Sequence, residues 1–166
     1  MSKKAWIICS GCLIAGLVIG YFVALAQAGS TIANTLAILQ LTETGQASDR
    51  AYQAYQHESS PVAIYAFIEA LERLKTAEDY GATPIYTKQM MAFDGLMLHG
   101  RLAKLYLTAG RTNLCEQQVA DALKCVQYIP ACRAITNQAA LMELIAKADK
   151  KTMSPNTAPE PTATRP

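Results

Sequence analysis

The sequence has little of what most enzymes use for catalysis. It has two histidines, His57 and His99, and it contains no Gly-rich phosphate loop, G-x-S-x-G, H-E-x-x-H or paired-carboxylate motif. Adjacent helices could bring His99 close to Cys125, as a Cys–His nucleophile or half of a metal site, but no third residue is available to orient them. We therefore predict that the protein is not an enzyme, with no catalytic residue, cofactor or metal ligand.

Clusters of one charge are also missing. The chain has 15 basic and 13 acidic residues, and two of the basic residues are Lys3 and Lys4 at the N-terminus. The rest of the chain is therefore neutral. A nucleic-acid-binding surface requires clustered positive charge, so we predict no nucleic-acid partner.

No charged residue occurs in the apolar run from Ala5 to Ala28. As a helix these 24 residues would be about 36 Å long, and a bilayer core is about 30 Å thick. Lys3 and Lys4 precede the run and no Lys or Arg follows before Arg50, so the positive-inside bias keeps the N-terminus cytoplasmic. We predict that residues 1–28 form a single transmembrane signal-anchor in the inner or plasma membrane, with the C-terminal domain periplasmic or extracellular.

The same run also fits a secretory signal peptide. Ala26-Gln27-Ala28 is an A-x-A cleavage pattern, and cleavage after Ala28 would release a secreted protein. The apolar regions of signal peptides usually have about 7–15 residues, so the length of the run favours the anchor. Both alternatives take residues 29–166 across the membrane.

Small residues recur every four positions along the run, at Gly16, Gly20 and Ala24. This spacing lets two membrane helices approach closely, because lipid provides no hydrophobic drive for helix association. The three residues are a candidate helix–helix face, through which the membrane helix could form a homodimer.

Beyond the run, helical periodicity without strand patterns predicts an all-α fold. Residues 29–48 are predicted as an extension or linker with a break near Gly45, and residues 49–149 as an exported antiparallel domain of about four to five helices. The predicted helices are 49–57, 61–79, 84–109, 112–126 and 131–147. The second has an inward stripe of Ile64, Phe67, Ile68, Leu71 and Leu74. Residues 150–166 contain four of the seven prolines and are predicted to be a disordered tail.

Three cysteines lie on the exported side, where disulfides persist. Cys115 and Cys125 would be about 15 Å apart on one helix, too far for a disulfide. Cys125 and Cys132 flank the turn that contains Pro130 and are the predicted pair.

The segment from about His99 to Pro130 resembles a tetratricopeptide (TPR) helical hairpin. The residues that carry the resemblance are Ala103, Tyr106, Gly110, Cys115, Val119, Ala122 and Leu123, with Ala63, Phe67, Ala70 and Leu71 matching a second helix upstream. The resemblance implies TPR-like hairpins and a scaffold that binds a protein or peptide.

Together these features predict a non-enzymatic, membrane-anchored helical module that binds a protein or peptide on the extracytoplasmic side. The alternative is a cleaved, secreted soluble helical protein with a structural or small-ligand role.

Overall fold

The computed structural model describes the backbone of residues 3–153 and the side chains of residues 20–151. It has five α-helices and one short 3-10 helix, and residues 3–153 contain no strand, which confirms the all-α prediction. The helices are α1 (Lys3–His57), α2 (Ser60–Tyr80), α3 (Lys88–Thr108), α4 (Thr112–Val126) and α5 (Gln138–Met153), and the 3-10 helix is Pro130–Cys132.

Helix α1 is continuous over 55 residues. The predicted break at Gly45 is therefore wrong, residues 29–48 are helical, and the separate helix predicted for 49–57 is the end of α1. A glycine inside a helix costs about 1 kcal/mol relative to alanine. Here that cost is offset by packing on either side of Gly45, because Thr44 and Ala47 are buried.

The first part of α1 has no packing partner within the described chain. Every described side chain from Gly20 to Leu36 is exposed, and Ala37 is the first buried residue of the helix. The hydroxyls in this stretch bond to their own helix, as when Thr35 Oγ1 donates to the Thr31 carbonyl at 2.9 Å. The protein thus has one long apolar N-terminal helix that is suited to crossing a membrane by length and composition, as a membrane anchor or a signal sequence is.

Helices α1 and α2 pack antiparallel. The Tyr55 and Phe67 rings pack edge-to-face with their centres 5.9 Å apart. Nearer the N-terminus of α1, Glu43 Oε2 lies 3.7 Å from Arg73 Nη1, which is further along α2. Small side chains fill much of this part of the core and let the two helices approach closely: Ala47, Ala51, Ala54, Ala63, Ala70 and Ala77 are all buried.

The segment before α3 is a buried turn. We predicted that the helix begins at Pro84, but it begins at Lys88. Tyr86 is buried; its N–H donates to Thr83 Oγ1 at 2.9 Å and its hydroxyl donates to Asp94 Oδ2 at 2.7 Å. Because a turn is needed to bury Tyr86 and form these two bonds, the helix starts later than the proline suggested.

Helix α3 lies at the centre of the domain and contacts α2, α4 and α5. Its glycines permit close packing. A Cβ on Gly100 would lie 2.7 Å from Ile145 Cδ1 and 3.3 Å from Leu141 Cδ1. Both of those α5 side chains are completely buried, so the absence of a side chain at Gly100 determines how closely α5 approaches.

The last helix begins later than predicted. Pro130–Cys132 is a 3-10 helix, and α5 starts at Gln138 after Asn137 Oδ1 accepts the Ala140 N–H at 3.0 Å. The helix continues to Met153, so the first residues of the predicted tail, 150–153, are helical. The rest of that tail, 154–166, lies outside the described residues.

A buried carboxylate attaches the end of α5 to the domain. Asp149 accepts hydrogen bonds from Tyr55 Oη at 2.9 Å, Arg101 Nε at 3.2 Å and Lys104 Nζ at 3.0 Å. The Arg101 guanidinium also lies 4.4 Å from the centre of the Tyr52 ring. The cluster therefore joins α1, α3 and α5.

Candidate functional site

A groove of about 1050 Å³ runs between α2 and α4, with α3 as its floor. Pockets for small molecules have volumes of roughly 300–1,000 Å³, so this groove is slightly larger than the upper end of that range. Both α2 and α4 pack against α3, and the groove is the space that they leave between them.

Side chains of both walls lie close to the floor of the groove at Gly95. A Cβ there would lie 3.1 Å from Cys125 Sγ and 3.4 Å from Leu74 Cδ2. One side chain from α2 and one from α4 thus approach a position of α3 that has no side chain. The apolar part of the floor continues on either side of Gly95 through Met91, Ala92 and Leu102.

Apolar side chains are also accessible on the walls. Ile68 on α2 is 39% exposed and faces the groove. Tyr128 is exposed at the other wall, just after α4. Lys88 Nζ lies 4.1 Å from the centre of the Tyr128 ring, which is close enough for a cation–π contact. The sequence predicted Ile68 as part of the inward stripe of α2, but the structure leaves it open to a ligand.

Charged residues around the groove are balanced in sign. The basic residues are Lys75, Lys88 and Lys124, and the acidic residues are Glu72, Glu78 and Asp121. One pair lies on α4, where Lys124 Nζ is 2.7 Å from Asp121 Oδ1. A lining of both signs around an apolar floor suits a mixed polar and apolar ligand better than a polyanion or a polycation.

His99 is half-buried in the groove. Its Nδ1 lies 2.7 Å from Gln118 Oε1, and a ring protonated on Nδ1 donates this hydrogen bond. The contact joins α3 to α4. His99 therefore acts in the structure as a link between the floor and one wall of the groove.

Cys125 lines the same groove, but its thiol is not activated. Burial raises its pKa to about 11, and the carboxylates of Glu78 and Asp121 add to the rise. The thiol donates to the Asp121 carbonyl at 3.5 Å. A thiol with this pKa is protonated at neutral pH, whereas cysteine nucleophiles need a lowered pKa. The sequence correctly places His99 and Cys125 in one region, but each hydrogen-bonds elsewhere.

The raised pKa leads to a prediction for alkylation of Cys125. Because the thiolate reacts, and its fraction grows with pH up to about 11, the rate with iodoacetamide should rise about tenfold per pH unit between about pH 7 and 10. Peptide mass spectrometry separates this cysteine from the others. Free cysteine, whose pKa is about 8.5, should level off earlier and is the control. A rate at Cys125 that levels off below about pH 9 would contradict the prediction.

The predicted Cys125–Cys132 disulfide is not formed in the structure. Cys115, Cys125 and Cys132 are free thiols. Cys125 lines the groove beside Gly95, while Cys132 is buried in the core and belongs to the 3-10 helix. Because the two side chains occupy different environments, the turn at Pro130 does not bond them here. Pairing in an oxidising compartment stays a prediction.

The predicted helix–helix face is exposed where the structure describes it. Gly20 and Ala24 are exposed, and a Cβ on Gly20 would have no heavy atom within 4 Å. The side-chain environment of Gly16 lies outside the described residues. Dimerisation through this face stays a prediction.

The predicted α3–α4 hairpin is antiparallel, since Gly95 lies near Cys125 while His99, further along α3, bonds to Gln118. Gly110 makes the turn with a positive φ of 70°. Of the residues that carry the TPR resemblance, Ala103, Tyr106, Cys115, Val119 and Ala122 are buried. Antiparallel helices commonly bury small residues at their contacts, so this burial does not test the resemblance.

The described residues contain no group of three or more His, Cys, Asp or Glu side chains arranged to hold a metal ion. Comparison with known proteins finds no family model, no curated protein and no solved structure that matches this chain. The proposals for function therefore depend on the apolar helix and the groove.

Proposed function

We propose that this protein is a non-enzymatic, membrane-anchored helical module whose groove binds a segment of a protein or peptide on the extracytoplasmic side. The observation that carries the proposal is an open, apolar-floored groove with accessible Ile68 and Tyr128 and a lining of both charge signs. Binding sites for peptides combine apolar anchor pockets with polar edges.

The continuity of α1 supports a role at a membrane. If the bilayer covers the apolar run to Ala28, residues 29–36 add about 12 Å of helix before the first buried residue, Ala37. No loop interrupts this stretch. A helix without a break would hold the groove at a fixed distance from the membrane surface.

The length of the apolar run favours the anchor over the cleaved, secreted alternative. The run has 24 residues from Ala5 to Ala28, whereas the apolar regions of signal peptides usually have about 7–15. The test is the mass of the protein recovered from carbonate-washed membranes. The anchor requires the full chain in the membrane fraction, and loss of residues 1–28 would reject it.

Peptide binding is tested with a matched pair of substitutions on α2. Ile68→Asp places a charge inside the groove, and Tyr65→Asp places one on an outward position that is 71% exposed. Phage-displayed peptides are selected against the full chain in nanodiscs. Ile68→Asp should weaken binding of the enriched peptides at least about tenfold, because a charge would be buried without a partner, and Tyr65→Asp should leave it unchanged.

Equal thermal unfolding midpoints for the two variants show that folding is retained. No enrichment of peptides by the unsubstituted protein, or equal weakening by both substitutions, would contradict binding in the groove.

A further inference from the structure

We propose that a second copy of this chain packs against an apolar seam on α1, forming a parallel two-stranded coiled coil. The seam consists of Phe22, Leu25, Gly29, Ile32, Leu36 and Leu39. The inference rests on the membrane anchoring in the proposed function and is independent of the groove.

The spacing of the seam is that of a coiled coil. Its six positions are separated alternately by three and four residues. Apolar residues that recur on average every 3.5 residues are the pattern of helices that supercoil around each other. The pattern continues beyond the apolar run, at Ile32, Leu36 and Leu39, where polar residues such as Ser30, Asn34 and Thr35 occupy other positions of the helix.

The apolar side chains of the seam are exposed. Phe22, Leu25, Ile32, Leu36 and Leu39 are all among the exposed large apolar side chains. The last three lie beyond Ala28, where the proposed anchor leaves the bilayer. The side of α1 that faces the domain begins with Ala37 and includes Thr44 and Ala51, which are buried. At 100° per residue these buried positions lie about 60–100° from Leu36 around the helix, so the seam borders the side that faces the domain and stays exposed as far as Leu39.

Membrane anchoring points to a second copy as the occupant. Every copy enters the bilayer in the same orientation, so two α1 helices are parallel and each seam residue faces its equivalent. No charged residue occurs between Ala5 and Thr42, so the positions beside the seam do not repel each other. The next position of the pattern is Glu43, which pairs with Arg73 of its own chain. Two facing glutamates would repel, so the coiled coil ends at Leu39.

The seam differs from the small-residue face that contains Gly20 and Ala24. At 100° per residue, Gly20 and Ala24 are centred about 150° from Phe22, Leu25 and Gly29 around the helix. The two faces therefore predict different dimers. A side chain substituted on one face does not lie in the dimer interface of the other.

Site-specific photo-crosslinking tests the inference. The full chain is reconstituted in phosphatidylcholine vesicles with p-benzoylphenylalanine in place of Leu36, or in place of Ile38 as the matched control. Leu36 is 46% exposed and Ile38 52% exposed, and the two point about 160° apart. A covalent dimer should form from position 36, and at least about fivefold less from position 38.

Analytical ultracentrifugation measures the oligomeric state independently of crosslinking. Leu36→Glu should convert the detergent-solubilised full chain to a monomer in analytical ultracentrifugation, while Ile38→Glu should leave the dimer. Equal crosslinking from both positions, or a monomeric unsubstituted protein that stays in carbonate-washed membranes, overturns the inference. A chain that carbonate removes from the membranes overturns the anchor as well.

Discussion

Replacing Phe67 by alanine is expected to lower the free energy of unfolding by about 3–5 kcal/mol. Phe67 is completely buried between α1 and α2, where its ring meets Tyr55. The substitution loses the transfer free energy of the ring and leaves a cavity, because alanines around it cannot fill the space. Pulse proteolysis of the full chain in detergent, over a urea series, measures the change.

Tyr65→Ala is the control for this prediction. Tyr65 is on the same helix but exposed, so the loss should be within about 0.5 kcal/mol. Because α2 is one wall of the groove, Phe67→Ala should also weaken binding of peptides. If the two variants lost similar stability, α2 would not be attached to α1 through Phe67.

Replacing Asp149 by alanine is expected to cost about 2–3 kcal/mol of unfolding free energy. The substitution leaves the Tyr55 hydroxyl, Arg101 and Lys104 without their shared acceptor. The side chain of Lys104 is 41% exposed, and water can solvate its ammonium, so the loss is smaller than for a fully buried ion pair. Pulse proteolysis again gives the free energy of unfolding.

Glu143→Ala is the matched control on α5. Glu143 Oε1 lies 2.7 Å from Lys147 Nζ, but both side chains are well exposed. Exposed ion pairs contribute little to the free energy of unfolding. Asp149→Asn retains acceptor capacity and should recover part of the stability. An Asp149→Ala variant as stable as Glu143→Ala would show that the cluster does not attach α5 to the domain.

Local signals in the sequence predicted most of the helices. The predicted helices 61–79 and 112–126 match α2 and α4 to within one residue at each end, with Pro61 in the first turn of α2 and Gly110 in the turn between α3 and α4. The buried residues of α4 are Cys115, Val119, Ala122 and Val126, which recur at helical spacing. These features depend on a few neighbouring residues, which is why one sequence is enough to find them.

Features that depend on distant packing were not predicted. The helix continues through Gly45 because α1 packs within the domain on either side of it, and α3 begins late because Tyr86 reaches Asp94. The groove is a further example. Periodicity predicted that Ile68 and Leu74 both point inward, but only Leu74 is covered. Periodicity gives the direction of a side chain and does not say whether a neighbouring helix closes over it.

The most direct test of binding in the groove is photo-crosslinking of the full chain in its native membranes, with p-benzoylphenylalanine in place of Ile68 or, as control, Tyr65. Binding in the groove predicts a discrete crosslinked product from position 68 that is absent from position 65 and that an excess of an enriched peptide removes. The same products from both positions, or a product from position 68 that the peptide does not displace, would contradict it.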